Sequence, residues 1–196
     1  MRKEIFFVLM KFPAHSEVFA ANEIKRLMLD HEVNVTVISY RHLGKDDESL
    51  IKEFGLSNVR IITPSVRLSL QEMKIFLKTL WVLLKVAFSI KVFCRATLVR
   101  DLYIIFLSSL LRAKSSWIIP NVVHCFWGHH PAWFLLAFNM KYVIRSMFLG
   151  AYDLNQKLPI SKYVGEFVAE VVFTHSMHGV NELSNFGIPK SKVRLN

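Results

Sequence analysis

The chain has 196 residues, of which 53% are hydrophobic, and this is enough to bury the core of a single domain. Its 25 Lys and Arg against 15 Asp and Glu give a formal net charge of +10, which suits a phosphate-bearing ligand, nucleic acid or an anionic membrane surface without choosing among them. Both cysteines, Cys94 and Cys125, lie in apolar stretches and no signal peptide opens the chain, which argues against a disulfide and for a cytosolic protein.

The first forty residues predict a βαβ unit. Residues 4–10 are typical of a buried strand, and a loop containing Pro13 follows. Ser16 is the expected N-cap of a helix that ends near Asp30, and residues 33–39 predict a second strand. Such a unit implies parallel strands joined by a right-handed crossover. Its loop has no glycine-rich phosphate fingerprint.

The following segments continue this alternation. The apolar stripe expected on the first helix consists of Phe19, Ile24, Leu27 and Met28. Residues 44–55 form a polar connection that we expect to be a solvated loop. Its acidic cluster consists of Asp46, Asp47 and Glu48. Residues 58–62 predict a third short strand before Pro64.

Residues 68–114 form a long apolar stretch that basic residues interrupt. The most apolar window, residues 75–93, contains three lysines, and a central lysine costs a spanning helix roughly 2.5 to 3.5 kcal/mol, so we predict amphipathic helices instead. Lys74, Lys78 and Lys85 share one narrow stripe that either faces water or contacts the phosphates of an anionic membrane. Residues 101–111 predict a second helix, closed by Arg112 and Lys114.

Residues 121–133 combine a predicted strand with a turn rich in histidine. The buried pattern of that strand consists of Val122, Val123, Cys125 and Phe126. Gly128 supplies a tight turn, and Pro131 suits the first turn of a following helix. Ligands of open α/β sheets bind beyond such strand ends, which makes this turn a candidate site. The alternative is that His124 is a core histidine and Trp127 a packing residue.

The last third of the chain repeats this arrangement. Residues 142–147 predict a strand that leads into a loop containing Gly150 and Asp153, and the two glycine-containing loops are expected to converge. Residues 161–170 predict a helix, residues 171–174 a strand, and residues 176–186 a helix with Gly187 as its C-cap. Residues 192–195 begin a last strand. No linker composition divides the chain, so we expect one domain.

Two other ligand classes are disfavoured by the pattern. His124, Cys125, His129 and His130 are suitable metal ligands by type, but their spacing matches no closed site. Strand alternation also points His124 and Cys125 to opposite faces of the sheet. The basic residues are interspersed with aliphatic ones and no recognised nucleic-acid motif is present. We therefore predict neither a metal nor a nucleic acid as partner.

Several short motifs, in order over nearly the whole chain, resemble those of glycosyltransferase family 4. They are Phe12-Pro-x-x-Ser16-Glu17 with Glu23-Ile24, Val122-Val-His-Cys-Phe126 with Gly128, Gly150 with Tyr152-Asp153-Leu154, Val172-Phe-Thr-His-Ser176, and Phe186-Gly-Ile-Pro189 followed by Lys192-Val193. The resemblance implies a Rossmann-like parallel sheet flanked by helices, which would be the N-terminal half of the two-domain GT-B architecture. The predicted α/β alternation fits this fold.

The resemblance implies transfer of a sugar from a nucleotide-sugar donor to a glycan or lipid-linked acceptor, with retention of configuration and with no cofactor or required metal. The expected setting is bacterial-type surface polysaccharide synthesis, in the cytoplasm or on the inner face of the plasma membrane. In this family the N-terminal domain mainly receives the acceptor, and the C-terminal domain holds the donor through paired glutamates. We therefore expect residues 1–196 to be one acceptor-side domain, without the donor-binding domain and inactive alone. The rival interpretation is a non-catalytic membrane-surface or partner-binding α/β domain.

The resemblance also implies a set of substrate-binding residues. They are Ser16, Glu17, Gly128, His129, Gly150, Tyr152 and Asp153. Ser16 and Glu17 would orient acceptor hydroxyls or a diphosphate, or else only cap a helix. His129 would act as a base or hydrogen-bond donor, or else lie in a surface turn. Asp153 would hold a sugar hydroxyl, or else be a simple loop carboxylate. Many family members have a His-Gly pair where this chain has Leu149-Gly150, so either the other loop residues serve instead or the activity is altered.

Overall fold

The computed structural model describes residues 2–30, 33–90, 97–138, 140–156 and 158–196. One parallel sheet contains β1 (Lys3–Leu9), β2 (Val33–Ser39), β3 (Arg60–Ile62), β4 (Val122–Cys125), β5 (Ile144–Phe148), β6 (Val171–Thr174) and β7 (Val193–Leu195). The strand order is β3-β2-β1-β4-β5-β6-β7. The chain thus builds outward from β1 to one edge and then from β4 to the other, which creates a topological switch point between β1 and β4.

Helices cover the sheet on two faces. They are α1 (Val18–Asp30), α2 (Asp47–Glu53), α3 (Leu70–Ser89), α4 (Leu98–Lys114), α5 (Ala132–Ala137), α6 (Ala151–Gln156), α7 (Pro159–Tyr163) and α8 (Met177–Asn185). Alternation along β1 sends Phe7 and Leu9 to the core beneath α1, and Phe6 and Val8 to the larger core beneath α3, α4 and α5. Two cores on the two sides of one sheet are what a doubly wound α/β domain requires.

The basic, apolar stretch forms the predicted pair of helices. Ser69 caps α3 because its side chain accepts from the Glu72 backbone N–H, while the Glu72 carboxylate accepts from the Ser69 N–H. Lys114, the last residue of α4, pairs with Glu72 at 3.2 Å, so α3 and α4 run antiparallel. No helix in the described ranges is both long and apolar enough to cross a membrane. Lys91 and Cys94 lie outside the described residues.

The first helix differs from its prediction at two positions. The chain enters α1 through a 3-10 turn, His15–Glu17, in which the Glu17 N–H donates to the Ala14 carbonyl at 2.9 Å. Ser16 is therefore an exposed turn residue and does not cap the helix. Phe19 is 75% exposed, and the helix turns Ala20, Ala21 and Ile24 to the sheet instead. Small side chains allow the helix backbone to approach the strands, which an apolar periodicity alone does not reveal.

The acidic connection is not a solvated loop, because residues Asp47–Glu53 form α2. Asp47 is buried and its carboxylate accepts from the Arg41 side chain and from the Gly44 N–H. Burial alone would raise the pKa of the Asp47 carboxyl, but these two donors lower it overall. Asp47, one of three consecutive acidic residues, is buried because Arg41, two residues beyond the end of β2, supplies the opposite charge.

The remaining elements follow the predictions with small shifts at their ends, except that Asp153, predicted in a loop, lies in α6. Strand β5 starts at Ile144, and Tyr142 is 85% exposed before it. The helix predicted over residues 161–170 is α7 followed by a π-helical turn, Val164–Val168. Ser176 caps α8 by accepting from the Gly179 N–H at 3.0 Å. Gly187, with φ +98°, follows the end of α8 as expected of a left-handed C-cap.

Candidate functional site

The carboxyl edge of the sheet brings together the loops that follow β1, β4 and β5. The Trp127 indole N–H donates to both carboxylate oxygens of Glu17, at 3.1 and 3.3 Å, and so joins the first two loops across the switch point. His129 and Asp153 join the β4 and β5 loops through a 3.0 Å contact. The predicted convergence of these loops is therefore observed, since parallel strands place their carboxyl ends along one rim.

Glu17 is a buried carboxyl at this rim, with 6% of its surface exposed. Burial raises the pKa of Glu17, while the Trp127 hydrogen bond and the nearby His129 oppose the rise. A carboxyl held in this way, beside an indole, can bind a hydroxyl group of a ligand as acceptor or, when protonated, as donor. Neither the burial of Glu17 nor its pairing with Trp127 is evident from the sequence, because 110 positions separate the two residues.

His129 and Asp153 form an acid–base pair. The Asp153 side chain is wholly buried, and its Oδ1 accepts from His129 Nδ1 while its Oδ2 accepts from the Gly150 N–H at 3.1 Å. A carboxylate on Nδ1 keeps the proton on that nitrogen, so Nε2 has the basic lone pair. The predicted contact of Asp153 with a sugar hydroxyl stays a prediction. The geometry gives it the task of orienting the His129 imidazole.

His130 lies behind this pair and is neutral at physiological pH. Burial lowers the pKa of His130 to about 4, and the nearby His129 and Arg100 act in the same direction. Its backbone carbonyl is the end of a buried chain of polar groups, since the Tyr40 hydroxyl lies 2.7 Å from the Ser108 hydroxyl and 3.5 Å from that carbonyl. Helix α4 thus supports the histidine turn from beneath.

Gly128 is required by packing and not by an unusual backbone angle. A Cβ at Gly128 would lie 1.8 Å from Leu149 Cδ2 and 2.9 Å from Met147 Cε. The Gly128 carbonyl also accepts from the Ser161 hydroxyl at 2.6 Å, which fixes the turn. Leu149 is only 1% exposed and packs into this gap. At the position where the family pattern has a histidine, this chain therefore has a core residue that does not line the rim.

Replacing Gly128 with Ala is expected to lower the free energy of unfolding by about 1–3 kcal/mol, because the new methyl group overlaps Leu149. Urea unfolding of the two proteins measures this difference. The double variant with Leu149→Ala removes the overlapping atoms, so its loss should be smaller than the sum of the two single losses. Strictly additive losses would show that the close approach of these residues has no energetic consequence.

The aromatic rings of Trp127, Phe148 and His175 pack together beside the Glu17 carboxyl and form a shelf at this edge of the sheet. The ring centroids of Phe148 and His175 are 4.3 Å apart, and Trp127 lies edge-on to Phe148 at 5.9 Å. A cavity of about 170 Å³ adjoins this shelf, with Gly150, His175 and Ser176 among its lining residues. Trp127 and His175 were not among the predicted site residues. Their signal was their position, because His175 directly follows β6 and Trp127 lies two residues beyond the end of β4.

The other predicted site residues are Ser16, Gly150 and Tyr152, and of these the described contacts involve only Gly150. Ser16 is exposed on the turn before α1. Gly150 contributes its backbone N–H to Asp153, and a Cβ there would lie 3.0 Å from the Trp127 ring. Tyr152 lies in α6, but its side chain is outside the part of the chain that the structure describes.

His124 is the core histidine of the alternative interpretation. It lies among the rings of Phe7, Phe126 and Phe173, with Nδ1 at 2.9 Å from the Ser146 hydroxyl. Its Nε2 is buried without a hydrogen-bond partner among the described residues, and burial lowers the pKa of His124 to about 4. Cys125 points to the opposite face, where its thiol donates to a carbonyl at 3.0 Å. The predicted separation of the two side chains is observed.

No protein-family model and no curated protein sequence matches this chain. Its fold does match solved structures. A protein described as a UDP-N-acetylglucosamine 2-epimerase from Listeria monocytogenes aligns with a TM-score of 0.54 at 9% identity, over 98% of this chain. The lipopolysaccharide outer core galactosyltransferase WaaB, in its apo form, aligns equally with a TM-score of 0.54 at 13% identity, again over 98% of this chain. MurG from Acinetobacter baumannii gives a TM-score of 0.43 at 14% identity, over 89% of this chain.

This chain spans 44% of the length of the epimerase and of WaaB, and 42% of that of MurG. Identities this low establish the fold alone. They confirm the predicted fold class, a Rossmann-like parallel sheet flanked by helices that matches a domain of GT-B-type structures. Membership of glycosyltransferase family 4 stays a prediction. The chain is thus similar to one part of larger proteins, two of which transfer or rearrange sugars according to their names.

Proposed function

We propose that this chain is the acceptor-binding domain of a glycosyltransferase of family 4 that takes its sugar from a nucleotide-sugar donor. The observation that supports this most is the His129–Asp153 pair, which lies on the carboxyl rim beside Glu17 and Trp127. Sugar transfer needs a group that accepts the proton of the acceptor hydroxyl, and an imidazole oriented by a buried carboxylate has this ability.

In this proposal the acceptor hydroxyl lies against Nε2 of His129. As its oxygen bonds to the anomeric carbon of the donor, Nε2 takes the proton and the nucleoside diphosphate departs with the bonding electron pair. Asp153 stabilises the imidazolium that forms, because its buried carboxylate already accepts from Nδ1. Glu17 holds a second polar group of the acceptor. The family resemblance predicts retention of configuration without a required metal, so in this step the acceptor oxygen approaches the anomeric carbon from the same face that the nucleoside diphosphate leaves.

The donor would bind to a second domain that faces this rim. Support for this division comes from the length of the chain, which is 44% of that of WaaB. WaaB is named as a lipopolysaccharide outer core galactosyltransferase, which supports a glycan or lipid-linked acceptor here. We therefore propose surface polysaccharide synthesis as the process that this domain serves.

The same proposal includes contact with an anionic membrane from the cytoplasmic side. Lys74, Lys78 and Lys85 are all exposed on α3, and Trp81 between them is 61% exposed. The Lys85 ammonium lies 4.9 Å from the centre of the Trp81 ring. Basic residues next to an exposed indole are typical of helices that lie in a membrane interface. This face equally supports the second candidate function, a membrane-surface domain without catalytic activity.

Purified residues 1–196 are expected neither to transfer sugar nor to hydrolyse nucleotide sugars, because the donor site is proposed to lie in another domain. The comparison uses a native preparation, in which the protein is tagged in its own cells and isolated together with any further domain or partner that binds the donor. This preparation is assayed with radiolabelled nucleotide sugars. That preparation should transfer label to a glycan or lipid-linked acceptor. Robust turnover by residues 1–196 alone would overturn the proposed division of labour, and inactivity of the native preparation with every common donor would favour the non-catalytic candidate.

A further inference from the structure

A groove of about 350 Å³ lies between α3, the end of α4 and the end of α5. Its walls include the apolar side chains of Ile75, Val82 and Met140, and its polar groups include Lys78 and Arg112. Helix α5 starts at the histidine turn and the groove lies at its other end, so the groove is separate from the carboxyl rim. Two cations in an apolar groove need a physical explanation.

Arg112 is the unusual member of this pair. Its Nη1 atom is buried and has no hydrogen-bond partner among the described residues. The guanidinium lies over the Phe138 ring, 4.3 Å from its centre, and no ion pair joins it to a carboxylate in the described ranges. A buried charged donor without an acceptor is costly, and structures rarely keep one unless a ligand or ion satisfies it. An anionic acceptor in the groove would satisfy the Nη1 donor of Arg112.

Lys78 supplies a second positive charge at the mouth of the groove, since α3 places its exposed side chain beside Val82. A planar guanidinium and a nearby ammonium form a pairing that binds phosphate groups well. A free phosphate ion would gain nothing from the apolar walls, whereas an acyl chain would bury them. Leu77, which is 56% exposed, and Trp81 add exposed apolar surface on the same helix without lining the groove. Charge and apolar surface together indicate an amphiphile.

We propose that this groove binds the phosphate of an anionic phospholipid, with Arg112 and Lys78 on the phosphate oxygens and the apolar walls around the adjoining part of the lipid. The site goes beyond the proposed sugar transfer, because it would hold a membrane lipid that does not react. It also differs from general attraction to a charged surface. Binding in the groove requires one guanidinium, whereas surface attraction depends on the sum of the exposed lysines.

The test uses the full chain and a short-chain phosphatidylglycerol below its micelle concentration, with binding measured by calorimetry. Arg112→Gln and Lys78→Gln should each weaken this binding about tenfold, since each removes a charge-assisted contact to the phosphate. Lys190→Gln removes one exposed positive charge elsewhere and should leave the affinity unchanged. Lys74→Gln combined with Lys85→Gln should weaken sedimentation with phosphatidylglycerol vesicles but not the binding of the soluble lipid.

Three results would overturn the proposal. The first is an affinity for inorganic phosphate equal to that for the lipid, which would leave the apolar walls without a role. The second is an equal loss of affinity in Lys190→Gln, which would assign the binding to net charge. The third result comes from the wild-type chain and so does not depend on whether the Arg112 variant folds. It is that a photoactivatable phosphatidylglycerol labels no residue near Ile75, Val82 or Met140.

Discussion

Replacing His129 with Ala is expected to lower kcat for sugar transfer by about 10²- to 10⁴-fold in the native preparation, because the acceptor hydroxyl loses the base that takes its proton. Asp153→Asn should cause a loss of similar size, since an amide has only one acceptor oxygen for the two N–H groups, from His129 and Gly150, that the carboxylate accepts. The two residues act as a unit, so the double variant should be little slower than either single one. Initial rates with saturating donor and acceptor measure these effects.

Two controls separate this chemistry from structural damage. Added imidazole should restore part of the activity of His129→Ala, because it can enter the vacated space and accept the proton, but it should not restore that of Asp153→Asn. His42→Gln removes an exposed histidine elsewhere and should leave kcat unchanged. Full activity in His129→Ala would exclude the proposed base. A large loss without imidazole rescue, in a variant that unfolds at lower urea concentration, would indicate a structural role instead.

Acidification from pH 7 to pH 4 is expected to cost the chain about 3 kcal/mol of stability through His124 alone. Burial lowers the pKa of this histidine from 6.5 to about 4, and each tenfold loss of proton affinity on folding corresponds to about 1.4 kcal/mol. The sign follows from proton uptake. Below pH 6.5 His124 binds a proton in the unfolded chain but stays neutral in the folded chain. The free energy of unfolding therefore falls until the pH reaches the folded pKa. His130, with its pKa also lowered to about 4, adds to the loss in the same window.

Urea unfolding of the wild type and of His124→Phe at a series of pH values isolates this contribution. The variant suits the aromatic surroundings formed by Phe7, Phe126 and Phe173, and it removes the titration. Its stability should therefore decline less than that of the wild type between pH 6.5 and pH 4.5. Carboxylates with lowered pKa, such as Glu72 and Glu170, lose their contribution only at lower pH and in both proteins alike. Parallel curves for the two proteins would contradict the assignment.

The predicted elements show which features depend on local pattern. The strands from β1 to β6, the pair α3 and α4, and the glycine at the end of α8 were all predicted, because burial of apolar side chains repeats with the period of each element. Phe19 shows where this reasoning stops. An apolar residue at the helical period is not necessarily inward, since the surface of a folded protein keeps many of them.

The candidate site shows the same division in more detail. Chain order was enough to place His129 and Asp153 in loops at one edge of the sheet, since parallel strands leave no other arrangement. Their 3.0 Å contact, and the bond from Trp127 to Glu17, depended on side-chain directions across loops 24 and 110 positions apart. The contacts of the Asp153 carboxylate with His129 and with the Gly150 N–H were likewise not evident from the sequence, while its predicted contact with a sugar hydroxyl stays a prediction.

By itself, the sequence determined that this protein is a parallel α/β domain with a basic, amphipathic helix pair and polar loops at one sheet edge. Periodicity and strand direction suffice for these features, because each depends on residues close together along the chain. Only the tertiary structure decided which polar groups are buried: Asp47 against Arg41, Asp153 against His129, and the Nη1 atom of Arg112 in an apolar groove. The energy of a buried charge is set by its partner, and that partner is chosen by how distant segments pack.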